Sequence, residues 1–422
     1  MPVLLGCIAD DFTGATDLAG MLVRHGMRTV QMVGVPANLK PPAQVDAIVV
    51  ALKSRTVPAH QAIAQSMTAL SWLKKAGCLQ FFFKYCSTFD STDEGNIGPV
   101  TDALLAALDS NFTIACPAFP ENKRTVYKGH LFVGDAPLHE SGMQDHPLTP
   151  MKDSNLVRVL ARQTQRKVGL LPFDEVSLGP QAIGAANDRL RAARTEIAIV
   201  DALRDTDLLA IGTACADLPL ITGGSGIAMG LPQNYRQRGL LAPNPEAGRL
   251  PRMSGPGVVI AGSCSQATLE QIEHMKGEHP WFKIDPLDVA SGASTVDDVL
   301  RWAAPRLRKG PLLIYASAKP SEVKAAQSKL GPARAGEMVE QALAGIAEGL
   351  VALGVRRFVV AGGETSGAVV KRLGIKGLRI GRQIDPGVPW TVSLGAPSLT
   401  LALKSGNFGT PDFFLKAWGD RV

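Results

Sequence analysis

Short apolar runs alternate along this chain with longer segments whose apolar positions recur every three to four residues. Val3–Ala9, Ala47–Leu52, Leu79–Lys84, Phe112–Cys116, Lys167–Leu171 and Glu196–Val200 read as buried strands. Between them, Gly14–His25, His60–Lys75, Gly95–Leu108, Ser154–Thr164 and Pro180–Ala193 read as helices. In the first of these Ala15, Leu18, Ala19 and Leu22 fall at i, i+3, i+4 and i+7, and Gly26 supplies the stop. Strands alternating with helices predict a parallel sheet covered on both faces.

The alternation fails between Leu231 and Gly257, where Pro232, Pro243, Pro245, Pro251 and Pro256 fall among several glycines. Such a stretch predicts a linker without helix or central strand. The pattern then resumes, with strands at Val258–Ala261, Leu312–Ala316, Phe358–Ala361 and Ser398–Leu403. Helices follow at Ser265–Lys276, Thr295–Leu307, Gly336–Leu353 and Gly367–Leu373. The expected fold is α/β, with two parallel-sheet α/β domains facing a central cleft: residues 1–230, a Pro/Gly-rich linker 231–257, and residues 258–422. Residues 117–150 keep neither period, and an irregular loop of that length is usually functional or a surface excursion.

Composition narrows the class. With 45% hydrophobic and 19% charged residues the chain can bury full cores, which excludes disorder. No apolar run reaches the length of a membrane span, and residues 1–7 lack the basic flank of a secretory leader. The net charge of +6 comes without a dense basic run, and aromatics are only 5%. That combination argues against nucleic acid and suits an anionic small molecule. Cys7, Cys78, Cys86, Cys116, Cys215 and Cys264 are scattered without metal-ligand spacing, which points to a reducing compartment, the cytoplasm. A homo-oligomer is compatible with all of this.

In open parallel sheets ligands sit beyond the carboxyl ends of the strands, so the residues there matter most. In the second half they are small: Gly262-Ser263-Cys264-Ser265, Gly362-Gly363-Glu364-Thr365-Ser366-Gly367, and Lys404-Ser405-Gly406-Asn407-Phe408-Gly409. Turns of this kind at helix starts offer amides and hydroxyls to phosphate, although any one alone is an ordinary strand-to-helix turn. The second has the spacing of a P-loop, but Ala368 and Val369 replace its Lys and Ser/Thr. Glu364 suits a water-mediated Mg²⁺, a ribose hydroxyl or the helix dipole. Gly224-Ser225-Gly226 with Gly230 reads as a tight turn. Cys264 raises a rival, a Cys-dependent hydrolase, for which no histidine lies nearby in sequence.

The first half suits a small polar acid. Val3–Ala9 runs into Asp10-Asp11-Phe12-Thr13-Gly14-Ala15-Thr16-Asp17, whose adjacent carboxylates could bind sugar hydroxyls, Mg²⁺ or a transferring proton. The bland alternative has Thr13 capping the helix and the aspartates complementing its dipole. Arg55 is positioned to grip a substrate carboxylate bidentately, with Lys84 as a point charge. His130, His139 and His146 lack metal-ligand spacing and suit substrate hydrogen bonding or a lid.

Asp10 to Asp17 with Ala9, Gly262 to Ser265, and Gly362 to Gly367 together resemble the four-carbon acid sugar kinases over nearly the whole chain. The resemblance implies a first domain for the sugar acid, a second for ATP, and closure between them. Lys84 to Asn96 lacks the Arg of the threonate and erythronate kinases. With Cys116-Pro117-Ala118-Phe119-Pro120 and His146-Pro147-Leu148-Thr149-Pro150-Met151, it is similar to the 3-oxo-tetronate kinase branch. The implied reaction is ATP-dependent phosphorylation of a 3-dehydro four-carbon sugar acid at O4, with Mg²⁺ bridging the phosphates. By the same resemblance, ATP contacts fall on Ser263, Gly363, Glu364, Thr365, Ser366 and Gly406. Substrate contacts are assigned to Arg55, Lys84, Ser87 and Asp90, and the catalytic base to Asp10 or Asp11, with Asp17, Asp90 and Asp385 as alternatives. The competing functions are a threonate or erythronate 4-kinase, a sugar-acid sensor, and the Cys264 hydrolase.

Overall fold

The structure is a computed structural model that describes residues 2–36, 44–146, 148–251 and 253–419. Met1, Pro147 of the His146–Met151 run, Arg252 of the expected linker and residues 420–422 of the expected second domain lie outside the described residues. The chain forms two compact units, Met1–Gly248 and Arg249–Val422.

Strands of the first unit are β1 (Leu5–Ala9), β2 (Thr29–Val33), β3 (Ala47–Ala51), β4 (Gln80–Lys84), β5 (Thr113–Cys116), β6 (Arg124–Tyr127), β7 (His130–Val133), β8 (Ala136–Pro137), β9 (Val168–Leu171), β10 (Ile197–Val200) and β11 (Leu220–Gly223). Its helices are α1 (Phe12–Arg24), α2 (Ala59–Lys75), α3 (Ile97–Ala107), α4 (Leu156–Ala161), α5 (Phe173–Val176), α6 (Pro180–Ala192), α7 (Asp205–Ala214) and α8 (Leu231–Gln237). The main sheet runs β2-β3-β1-β4-β11-β5-β10-β9, and every pair in it is parallel. All five residues of β1 are buried, as expected of a central strand covered on both faces. Because β2 and β3 lie on one side of β1 and β4 on the other, the strand order reverses at β1. A crevice for ligand forms beyond the carboxyl ends at such a reversal.

The stretch 117–150, expected to be irregular, carries a three-stranded antiparallel sheet, β6-β7-β8. Its first turn is made by Lys128 and Gly129, both at positive φ (50° and 76°), the conformation that a two-residue hairpin loop requires. Asp201 fixes that turn by accepting the amides of Lys128 (2.7 Å) and Gly129 (2.8 Å). The histidines of this segment bond its own neighbourhood: His130 Nδ1 with Ser154 Oγ at 2.9 Å, and His146 Nδ1 with the Thr149 amide at 3.0 Å.

Residues 231–237, assigned above to a helix-free linker, are helical as α8. Pro232 falls in the first turn, where no amide is needed for the helical ladder. The helix is tied into the first unit by Asn234 Nδ2 donating to the Gly212 carbonyl (2.8 Å) and Tyr235 Oη donating to Gln80 Oε1 (2.6 Å). Just before it, Gly230 packs so closely on α7 that a Cβ there would lie 2.8 Å from Gly212 Cα. Backbone contact therefore accounts for that glycine run.

The second unit comprises β12 (Gly257–Ala261), β13 (Trp281–Lys283), β14 (Leu312–Tyr315), β15 (Arg357–Ala361), β16 (Gly377–Asp385), β17 (Val388–Ser393) and β18 (Thr400–Lys404). Its helices are α9 (Gln266–Lys276), α10 (Pro286–Ser291), α11 (Val296–Ala303), α12 (Pro320–Leu330), α13 (Pro332–Ala352), α14 (Gly363–Arg372) and α15 (Phe413–Lys416). The order is β13-β14-β12-β15-β18-β17-β16. The first five strands are parallel, whereas β17 and β16 run antiparallel, so the sheet is mixed where a purely parallel one was expected. Val259, Ile272, Val359, Trp390 and Phe413 belong to its core.

Candidate functional site

The parallel register of the first unit aligns Ala9 with both Ala51 and Lys84, so the chain leaving β1, β3 and β4 emerges at one edge. Asp10 donates its amide to the Lys84 carbonyl (3.0 Å) and accepts the Ser54 amide (2.9 Å). The segment carrying Arg55 is held from α3's start by Asn96, whose Nδ2 donates to the carbonyls of Ser54 (2.8 Å), Arg55 (3.1 Å) and Val57 (2.8 Å). Arg55 Nε and Nη2 then donate to Asp10 Oδ2 and Oδ1, both at 2.9 Å. Nη2 also reaches Asp11 Oδ1 at 2.7 Å, and Nη1 reaches Asp90 Oδ2 at 3.3 Å. The structure thus brings Asp10, Asp11, Arg55 and Asp90 into one cluster. Arg55, expected to present its fork to a substrate, spends that fork on Asp10.

Asp11, and not Thr13, caps α1: its Oδ2 accepts the Gly14 amide at 3.1 Å and the Thr13 hydroxyl at 2.9 Å. A Cβ on Gly14 would lie 2.2 Å from Asp11 Oδ1 and 2.9 Å from Lys84 Nζ, so only glycine leaves room for both groups beside the helix start. Lys84 is buried and donates to the Tyr85 carbonyl at 2.8 Å. That bond engages one of its three donors. Ser87 sits half-buried in the turn after β4.

Electrostatics separate the acids. Burial raises the Asp10 carboxyl against the opposing pull of Arg55. Burial would raise Asp11 too, but Arg55, Lys84 and the bonds from Gly14 and Thr13 outweigh it and hold the group at about 2. Burial also raises Asp17, whose Oδ2 accepts from Ser225 while Oδ1 has no hydrogen-bond partner among the described residues. The sequence marked Ser225 only as part of a tight turn, and its pairing with Asp17 across 208 positions leaves no local signal. Asp385, an alternative base from sequence, instead accepts the Thr410 amide (2.8 Å) and pairs with Lys416 (3.2 Å).

In the second unit Ala261 aligns with Tyr315 and Ala361, and Ala361 with Lys404, which sets the three glycine-rich segments side by side. The Gly262 and Ser263 amides donate to the Ala361 carbonyl, at 3.0 and 3.2 Å, and the Gly362 amide donates to the Lys404 carbonyl at 2.9 Å. The helix expected from Gly367 begins at Gly363, so Gly363, Glu364 and Thr365 form its first turn. Amides there precede the intrahelical ladder. A Cβ on Gly262 would lie 2.2 Å from Thr365 Oγ1, and one on Gly406 would lie 2.4 Å from Ser263 Oγ, whereas one on Gly363 would meet nothing within 4 Å. Ser366 is fully buried, with its amide on the Gly362 carbonyl at 2.9 Å, so its hydroxyl belongs to the turn's interior.

The first two of these segments border a cavity of about 470 Å³. Its polar lining includes Ser263, Cys264, Gly363 and Glu364 together with Lys283, Asp285 and Glu322, and Ile284, Leu287, Val323 and Val339 line it with aliphatic surface. A slot of this kind fits a planar base with a polar tail. Cys264 is exposed, and its sulfur accepts the Ala318 amide at 3.4 Å; no histidine bonds it among the described residues. Sequence reasoning placed Lys404 in a loop. It is the buried last residue of β18, and burial pushes its ammonium down to about 7.

An acid-rich pocket at a sheet reversal and a glycine-lined cavity at a second sheet edge define a two-unit α/β protein built for small ligands. Residues 5–231 match the sugar-binding N-terminal domain family, and residues 258–414 match the nucleotide-binding C-terminal domain family. Relatives named 3-oxo-tetronate kinase are 62% identical in Burkholderia multivorans (98% of this chain, 96% of the relative) and 61% in Cupriavidus necator (98% and 96%). A third, from Salmonella typhimurium, is 46% identical over 98% of each chain. A solved structure from Haemophilus influenzae superposes with a TM-score of 0.84 at 43% identity, covering 99% of this chain and 100% of the other. The chain belongs to the four-carbon acid sugar kinase family, within its 3-oxo-tetronate kinase branch. No helix among the described residues is long and apolar enough to cross a membrane.

Proposed function

We propose that this protein is a kinase that transfers the γ-phosphoryl group of ATP to the O4 hydroxyl of a 3-oxo-tetronate, giving the 4-phosphate and ADP. The observation that carries the reading is the 62% identity to a 3-oxo-tetronate kinase across 98% of the chain. The geometry of each unit supports it.

In the first unit, Lys84 takes the substrate carboxylate, because its ammonium has donors to spare and lies beside the start of α1. Arg55 acts as the strut that holds Asp10, Asp11 and Asp90 in register, and Ser87 and Asp90 bond substrate hydroxyls. Asp10 is the base that accepts the O4 proton, since burial makes it the more basic of the two adjacent acids. Asp11, held ionised, keeps α1 capped.

In the second unit, the first turn of α14 and Ser263 hold the phosphates, and Gly363 leaves open space for their approach. The aliphatic wall at Ile284, Leu287, Val323 and Val339 takes the base. Glu364, at the cavity's polar side, fits a water-mediated hold on Mg²⁺. When bound, Mg²⁺ neutralises charge on the transferring phosphoryl group. The chain's own task is positioning and exclusion of water. Cytoplasmic location suits these substrates. The test is coupled ADP release with Mg-ATP and a panel of four-carbon acids. Turnover on 3-oxo-tetronates supports the reading, and preference for threonate or erythronate redirects it.

A further inference from the structure

Lys404 ends β18, is fully buried, and bonds the second glycine-rich segment, its own, and the helix that follows the first. Its carbonyl accepts the Gly362 amide at 2.9 Å. Its ammonium donates to the carbonyls of Ser405 (3.1 Å) and Gly406 (2.8 Å) and to Thr268 Oγ1 (3.0 Å) in the first turn of α9. The same Gly406 carbonyl also accepts the hydroxyls of Ser265 (2.6 Å) and Thr268 (2.9 Å). Three donors on one oxygen pin Gly406 where any Cβ would strike Ser263 Oγ at 2.4 Å.

We propose that Lys404 is the positioning residue of the phosphate site: it clamps Gly406 against Ser263, and a bound phosphate chain supplies its missing counter-charge. This rests on the nucleotide-binding reading of the second unit. Two observations carry it. The first is a charge imbalance. Among the described residues no carboxylate pairs with Lys404, whereas Lys416 has both Asp385 and Asp412, and Arg55 has three acids. A buried ammonium solvated only by neutral oxygens is costly, and an anion nearby removes much of that cost. The second is reach. Moving Lys404 disturbs Gly362, Gly406 and Thr268 together, and Ser265 of the first segment shares the Gly406 carbonyl, so the three segments hold their shape as a unit. Burial's depression of the ammonium accords with a site that awaits an anion.

The test uses the full chain and isothermal titration with Mg-ATP, inorganic tripolyphosphate and adenosine. Lys404→Met is expected to weaken Mg-ATP and tripolyphosphate at least tenfold while adenosine binds within twofold of wild type. The KM for ATP rises in parallel and the KM for the sugar acid holds; Lys404→Arg restores part of the phosphate affinity. Equal losses for ATP and adenosine, or no loss for either, overturn the proposal. Thr268→Val covers the case of a Lys404 variant that does not fold. It removes one partner of Lys404, and a severalfold loss for tripolyphosphate is expected, with unchanged affinity overturning the clamp. Wild-type protein that binds adenosine but not tripolyphosphate overturns the role of Lys404 alone. Protein that binds neither overturns the nucleotide reading and this role with it.

Discussion

Arg55 grips Asp10 through two parallel bonds of 2.9 Å, Nε to Oδ2 and Nη2 to Oδ1. A bidentate pair of this kind fixes orientation as well as charge. With Asp11 and Asp90 on the same guanidinium, its role becomes that of a scaffold, and three acids depend on it. Arg55→Met should therefore strand buried carboxylates. Breaking a buried ion pair costs about 3–5 kcal/mol, and the side chain's 22% exposure favours the lower end, about 3 kcal/mol. Arg55→Lys keeps the charge without the fork and should recover part of that stability but little turnover. Urea unfolding and kcat/KM on the sugar acid separate the two effects.

The acids also set a pH dependence. Asp11 titrates at about 2 in the folded protein, below its unfolded value. With an unfolded pKa of about 3.9, its ionised form contributes about 2–3 kcal/mol that is present above pH ~4 and lost as pH falls towards 2. Asp10 and Asp17, whose carboxyls are raised, act oppositely: their contribution is present below the unfolded value and declines as pH rises through the folded one. Comparing wild type with Asp11→Asn between pH 2 and 5 isolates the first term. The wild type should lose stability relative to the variant as the solution becomes more acidic.

Two glycines predict opposite consequences. In a helix interior Gly→Ala usually gains about 1 kcal/mol, yet Gly14→Ala would drive a methyl to 2.2 Å from Asp11 Oδ1. It should lower kcat/KM for the sugar acid by about a hundredfold, an effect of about 2.7 kcal/mol, and leave ATP affinity intact. At Gly363 a Cβ would meet nothing within 4 Å, so Gly363→Val has room for its branch point. Its melting temperature should stay within about 2 °C of wild type, no more than a 1 kcal/mol change produces in a domain of this size, while the KM for ATP rises at least tenfold.

Much of this arrangement was legible in the residues. The stripe of Ala15, Leu18, Ala19 and Leu22 gave α1, and apolar runs gave β1, β3 and β4, which is enough to place Asp10, Arg55 and Lys84 at one edge. β2 escaped notice because Gln31 sits in its middle. That side chain is buried only because it accepts from Thr16 (2.8 Å) and donates to the Phe12 carbonyl (3.3 Å), partners that the fold supplies. β16 and β17 form an antiparallel hairpin with register shifts, which breaks the period that a pattern search relies on. Pairings between distant positions, such as Asp17 with Ser225 or Lys404 with Thr268, leave no local signature at all.

Cys264 lines the cavity, so it offers a direct test of the hydrolase alternative. In a kinase its thiol is part of the wall, and Cys264→Ala should retain phosphoryl transfer within a few-fold. Loss of all activity in a folded Cys264→Ala protein, read by ADP release, would instead favour covalent chemistry at that sulfur.

The most direct measurement is ADP release from Mg-ATP with 3-oxo-tetronates, threonates and erythronates, each against controls without sugar and without enzyme. The account predicts strong turnover on the 3-oxo acids and a product phosphorylated at O4. Turnover confined to threonate or erythronate contradicts the substrate assignment, and the absence of stimulated ADP release with any acid, together with undetectable ATP binding, contradicts the kinase itself.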